Sequence, residues 1–132
     1  MKTKKITAFL LIFALIVCMV SLFSITVSAR WVNTMGISCS LTFSSRTATC
    51  TGEIDALPGS TISGTLSLYK KNGSSWDYVT SWNKNSSSSS LTFIEKYTVS
   101  SAGTYRVMLT GTVTRNGTSE FVSIASNEKT CN

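Results

Sequence analysis

The sequence predicts an all-β domain of two facing antiparallel sheets, preceded by an N-terminal export segment. Three observations carry this. Apolar and polar residues alternate almost throughout residues 35–127, which gives strands one dry and one wet face. Asn-Gly pairs and Ser-rich breaks separate the alternating stretches at hairpin spacing. No stretch of that span repeats its apolar residues at the helical period.

The chain has 132 residues, and its first ones include Lys2, Lys4 and Lys5 with no acid among them. An apolar run extends from Ile6 to about Phe23 and ends in Ser24-Ile25-Thr26-Val27-Ser28-Ala29. A positive start, an apolar middle and small final residues make a signal peptide. Val27 and Ala29 fill the small positions before the cut, so residues 1–29 are expected to form a signal helix and residues 30–132 the β domain. The product would be secreted. The alternative is an anchor at residues 6–27, because the run approaches the ~20 apolar residues that cross a bilayer. Membrane attachment is expected only in that uncleaved form. Cys18 lies mid-run and reads as an ordinary apolar residue.

The chain after Ala29 is about 100 residues long, enough for one core. Losing Lys2, Lys4 and Lys5 takes the formal charge from +6 to +3. No clustered basic stripe remains, so nucleic acid is not an expected partner. The chain has no histidine, which removes the usual Ser-His-Asp and Cys-His machinery and the commonest zinc ligand. No glycine-rich phosphate loop comes after a strand. We therefore expect no enzyme, no cofactor and no metal.

Seven strands are predicted. The first, Met35–Phe43, and the second, Arg46–Ile54, flank a turn at Ser44-Ser45. That register opposes Leu41 to Ala48 and Cys39 to Cys50, and it puts both apolar sets on one face. Opposed residues are close enough for a disulfide, and export supplies the oxidising setting. Cys39–Cys50 is thus the expected bridge, with Cys39–Cys131 as the alternative. The third strand, Ile62–Lys71, and the fourth, Trp76–Trp82, join through Asn72-Gly73-Ser74-Ser75. This loop opposes Leu68 to Val79, Tyr69 to Tyr78 and Lys70 to Asp77. Residues Asn83–Ser90 read as a polar loop. The fifth strand is Leu91–Val99. The sixth, Thr104–Thr114, and seventh, Ser119–Asn127, meet at an Asn116-Gly117 turn that aligns Val113 with Glu120, Gly111 with Val122 and Leu109 with Ile124.

The segment Ser101-Ala102-Gly103-Thr104-Tyr105-Arg106-Val107 resembles the approach to the sixth strand of immunoglobulin-like sandwiches. There a Tyr turns the corner and bonds upstream backbone, and Tyr105 takes that place. Val107 stands where antibody domains carry a cysteine, so their inter-sheet disulfide has no counterpart. The chain also resembles a family of small secreted β-sandwich proteins of unknown function from clostridia and related Gram-positive bacteria. That resemblance rests on Leu66-Ser67-Leu68-Tyr69-Lys70-Lys71, Ser75-Trp76, Val79-Thr80-Ser81-Trp82, Gly103-Thr104-Tyr105-Arg106-Val107 and Asn116-Gly117-Thr118-Ser119-Glu120. It implies a secreted sandwich and supplies no catalytic residues.

Three constellations bear on function. Glu53 and Asp55 project to one face of the second strand. Paired acids can serve glycoside hydrolysis, but at a solvated strand end they equally discourage edge pairing, and that reading is preferred. With Leu66, Leu68 and Val79 facing inward, alternation sends Tyr69, Trp76, Tyr78 and Trp82 outward. Four rings on one hairpin would form a platform for sugar rings or a protein surface, with Lys70, Lys71 and Lys84 nearby to suit an anionic glycopolymer. The alternative is that a bulge turns some rings inward. Cys131, next to the C-terminus, is the third. The expectation is a secreted, non-catalytic binding module for a cell-wall glycan or surface protein. The second reading is a bacteriocin- or toxin-like effector.

Overall fold

The computed structural model describes residues 30–132. The signal expected at residues 1–29, the alternative anchor and Cys18 lie outside the described residues. Eight strands make up the domain: β1 (Thr34–Ser44), β2 (Thr47–Ala56), β3 (Thr61–Asn72), β4 (Ser75–Ser86), β5 (Ser90–Thr98), β6 (Gly103–Arg115), β7 (Thr118–Ala125) and β8 (Lys129–Cys131). They form two antiparallel sheets, one ordered β1-β2-β5 and the other β4-β3-β6-β7, with β8 also on β6. This is an immunoglobulin-like arrangement with β4 added beside β3, the place C′ takes in variable-type domains.

The two inner faces meet in one dry layer. Leu41, Ile54, Leu66, Leu68, Phe93, Val107, Leu109, Val113 and Val122 are all buried there. Period-two alternation supplies them from every long strand, as an aligned sandwich requires. The sheets approach closely at Gly64 and Gly111, which face each other across β3 and β6. A Cβ on Gly64 would stand 2.7 Å from Leu91 Cδ2, and one on Gly111 2.5 Å from Ile54 Cδ1. These positions lack side chains because the opposite sheet fills their space.

The β6–β7 register is the expected one, with Leu109 on Ile124, Gly111 on Val122 and Val113 on Glu120. Asn116 (φ +51°) and Gly117 (φ +76°) make the turn, and positive φ at both central residues is what a type I′ hairpin demands. The eighth strand is a departure. Ser126 Oγ accepts from Val107 N at 3.0 Å, where a continuing strand would offer a carbonyl. The chain kinks there and rejoins β6 as β8, opposite Gly103–Tyr105.

Three expectations need correction. First, the β1–β2 reversal lies at Ser45-Arg46, one residue later than predicted, with Ser45 at φ +54°. Each pairing moves by two, so Cys39 opposes Gly52 and Cys50 opposes Leu41. Both thiols keep the inner face, but they sit diagonally instead of opposite, and the Cys39–Cys50 bridge does not form. The Cys39–Cys131 alternative does not form either, and Cys39, Cys50 and Cys131 are free thiols. Cys39 Sγ lies against the carbonyls of Val107 and Ile124, whereas Cys131 Sγ lies against that of Ser45 at the β1–β2 turn.

Second, residues Asn83–Ser86 extend β4 and pair with Ile62–Thr65, so the loop is shorter than predicted. Third, β4 carries a β-bulge. Tyr69 pairs with Tyr78 as expected, but Leu68 pairs with Thr80, leaving Val79 as the extra residue. One inserted residue inverts the alternation beyond it. Trp82 therefore opposes Leu66 and joins the core face, and Lys84 opposes Gly64 on that side.

Candidate functional site

The bulge divides the predicted platform. Tyr69, Trp76 and Tyr78 stay on the outer face of the β4-β3-β6-β7 sheet, whereas Trp82 packs partly buried against the core. The remaining rings form a compact group. Tyr69 and Tyr78 meet edge to face, 6.1 Å between centroids and 76° between planes, a favoured aromatic geometry. The Tyr78 hydroxyl shares a 2.9 Å hydrogen bond with Ser81 Oγ, yet the residue is 62% exposed.

Trp76 reaches across β3 to Arg106, whose guanidinium carbon lies 4.1 Å from the ring centroid. Lys71 Nζ is 5.7 Å from the same centroid. A cation over an indole face is worth about 0.5–1 kcal/mol at an exposed site, and this stack holds the indole against the sheet. Arg106 Nε is buried and has no hydrogen-bond partner, so the guanidinium is spent partly on the ring and keeps its outer N–H groups for other use. Lys71 also bridges Glu128 at 3.0 Å. The result is three rings flanked by Arg106 and by the Lys71–Glu128 ion pair.

The other predicted cations fall elsewhere. Lys70 turns to the inner side, where its Nζ donates to Ser101 Oγ at 2.7 Å beside the Tyr105 ring. Lys84 closes the gap between the sheets by pairing with Glu95 of β5 at 2.7 Å. Its Nζ also stands 5.2 Å over the Phe93 ring, a long stem covering apolar surface while its head reaches a partner.

Tyr105 occupies the corner. Its hydroxyl donates to Ser101 O at 2.6 Å, and its buried ring lies 5.5 Å from that of Phe43. Glu53 and Asp55 border two different hollows on the outer side of the β1-β2-β5 sheet. Glu53 lies with Ser38, Thr51 and Thr92 on one of about 260 Å³, and Asp55 with Met35, Ser89 and Ser90 on another of about 390 Å³. Among the described residues, no group of three metal-ligating side chains gathers.

Two residues carry more than alternation along the sequence assigns them. Alternation puts Arg106 on the outer face of its own strand, but its position beside Trp76 depends on the β3–β6 pairing, which no local turn reveals. Glu120 is the second. Its carboxylate accepts from the backbone N–H groups of Val32 (2.6 Å), Asn33 (3.2 Å) and Thr34 (2.9 Å), and from Thr34 Oγ1 at 2.7 Å. Desolvation pulls the Glu120 carboxyl up, but these hydrogen bonds together outweigh it and hold the group below the usual carboxylate range. They tie the start of β1 to β7.

The fold and site define an antiparallel β-sandwich domain with an aromatic and cationic patch on one outer face. Neither the protein-family models nor the curated proteins give a match. Among solved structures, the chain is similar to the crystal structure of wild-type OgpA from Akkermansia muciniphila, at 14% identity and a TM-score of 0.44, over 83% of this chain and 34% of that one. The chain thus spans about a third of that protein's length, and a likeness of this degree assigns neither activity nor ligand.

Proposed function

We propose that the chain is a secreted, non-catalytic binding module that contacts a cell-surface glycan through Tyr69, Trp76 and Tyr78. The observation that carries this reading is the outward cluster itself: three rings, one of them 62% exposed, set beside Arg106 and Lys71. Aromatic faces stack on the apolar faces of sugar rings, and adjacent cations complement acidic substituents. The rings lie on paired strands, not on a loop, and are braced by each other and by Arg106, so little ordering entropy is lost on contact. A glycan with no fixed concave site to fill suits an open sheet face of this kind. The shallow hollows that Glu53 and Asp55 border separately favour a binding role over hydrolysis by that pair.

Cell-wall pull-down and glycan-array binding test the reading. Tyr78→Ala and Trp76→Ala are each expected to weaken retention while leaving the melting temperature near that of the parent. Retention unchanged by both substitutions would remove the surface. Trp82→Ala is no probe of the contact, because Trp82 belongs to the core face.

A further inference from the structure

We infer that the ligand is a linear acidic polysaccharide lying along the whole outer face of the β4-β3-β6-β7 sheet, from Tyr78 at one end to Phe121 at the other; this rests on the proposed glycan-binding role and extends its site. Phe121 is 68% exposed, far more than a core ring. It pairs with Thr112, which pairs with Ser63, so it shares a register row with the far end of β3. Tyr69 and Tyr78 define the near row. Six residues of β3 separate the rows, about 20 Å at ~3.3 Å per residue. Tyr78 and Phe121 are also three strand spacings apart, about 14 Å sideways. The two exposed rings therefore stand about 24 Å apart on the diagonal, beyond the reach of a disaccharide and suited to a chain of several sugars.

The ground between them has the chemistry for such a chain. One register row there runs Asn83-Thr65-Thr110-Ser123, amide and hydroxyl groups that both donate and accept. Thr61, Ser63, Asn85, Thr112 and Thr114 then border a hollow of about 380 Å³ next to the Phe121 row. No Asp or Glu occupies the outward positions from the Tyr69 row to the Phe121 row. The outer face of the other sheet differs, carrying Glu53 and Asp55. The middle of the strip, hydroxyls and amides broken by Met108, carries no acid to repel an anion, and Arg106 attracts one at the Trp76 end, where Lys71 is already paired with Glu128. A neutral chain would gain hydrogen bonds from Arg106 but no charge complementarity, so the acidic polymer is the occupant favoured.

The acid could be a sugar carboxylate or a phosphodiester, and the test separates them. The chain, expressed with its own N-terminal segment and purified as the host processes it, is titrated with polygalacturonate, a phosphodiester-linked poly(N-acetylmannosamine phosphate), and neutral dextran. Disaccharide and octasaccharide lengths of the retained acidic polymer are then compared. Retention of at least one acidic polymer and not of dextran is expected. Phe121→Ala should weaken the long oligomer about tenfold, the cost of one aromatic contact, and leave the short one unchanged. Tyr78→Ala should weaken both lengths. If Phe121→Ala leaves the long oligomer unaffected while Tyr78→Ala weakens it, the strip is overturned and the Tyr78 site survives. If neither variant matters, both readings fall. Dextran held as well as the acidic polymers, or no acidic polymer held at all, also overturns the inference. Phe121 is exposed, so an unchanged melting temperature will show that its variant folds.

Discussion

The tight approach of the sheets at Gly111 leads to a measurable coupling. A methyl group there would stand 2.5 Å from Ile54 Cδ1 and 3.1 Å from Ser63 O. Ile54 is fully buried, so its terminal methyl cannot swing into solvent. Gly111→Ala should therefore behave as an overpacking change and cost about 1–3 kcal/mol. Ile54→Val deletes the clashing Cδ1 and alone should cost about 0.5–1.5 kcal/mol. Together they should cost clearly less than the sum, since the new methyl takes the space the old one leaves. A coupling of about 1–2 kcal/mol is expected, within the range for directly contacting residues. The full cost will not vanish, because the Ser63 carbonyl stays in place. Urea unfolding followed by tryptophan fluorescence gives the three values, and in a domain of this size each kcal/mol moves the melting temperature by about 4–8 °C. Strict additivity would refute the reasoning: the Gly111 site would then be relieved by backbone movement instead of being filled by Ile54.

Further outcomes concern three polar or thiol groups. The carboxylate of Glu120 is held below its usual range by backbone N–H groups, so its contribution to stability is full above the ordinary glutamate value of about 4.3 and is lost as pH falls through the lower folded value; Glu120→Gln should flatten that acid limb and cost about 1–2 kcal/mol at neutral pH, because an amide N–H₂ then faces a backbone donor. Unfolding measured from pH 3 to 7 checks this, and an unchanged acid limb would count against it. Burial pushes the Cys50 thiol up to about 12, with Glu95 adding to the rise, so Cys50 should resist thiol reagents at pH 8 until the domain unfolds. Mass spectrometry of labelled, unreduced protein is the assay, and a Cys39–Cys50 bridge in that experiment would contradict the register. Tyr105→Phe removes the 2.6 Å bond to Ser101 O and should cost about 1–2 kcal/mol, read from the same urea curves; a neutral result would mean that the corner is held by ring packing alone.

Legibility in the sequence depends on the range of the interactions involved. The β6–β7 hairpin can be read in full because Asn116-Gly117 specifies its own turn, and the turn then fixes every pair down to Leu109 and Ile124. The β1–β2 turn cannot. Ser44, Ser45 and Arg46 have no residue that marks where φ turns positive, and both candidate registers keep Leu41, Ala48, Cys50 and Ile54 inside. A two-residue slip preserves the faces, so hydrophobic pattern cannot detect it. Only the pairing of individual residues changes, and that is the level at which a disulfide is decided.

The β4 bulge marks the same boundary within the site. Period-two counting works until a residue is inserted, and nothing in Tyr78-Val79-Thr80 announces the insertion. Its cause lies in what β4 must cover. Without it, Trp82 would face solvent and Lys84 would lie outside with it. With it, Trp82 reaches the core beside Leu66, and Lys84 reaches Glu95 on the other sheet. The open edge of the sandwich is thereby sealed with one indole and one ion pair. The same insertion leaves Tyr69, Trp76 and Tyr78 outside, on the side where Arg106 stands. A single extra residue thus sorts four aromatic rings into one that closes the core and three that meet solvent. That sorting is what makes the outer patch a surface to be tested, separate from the interior.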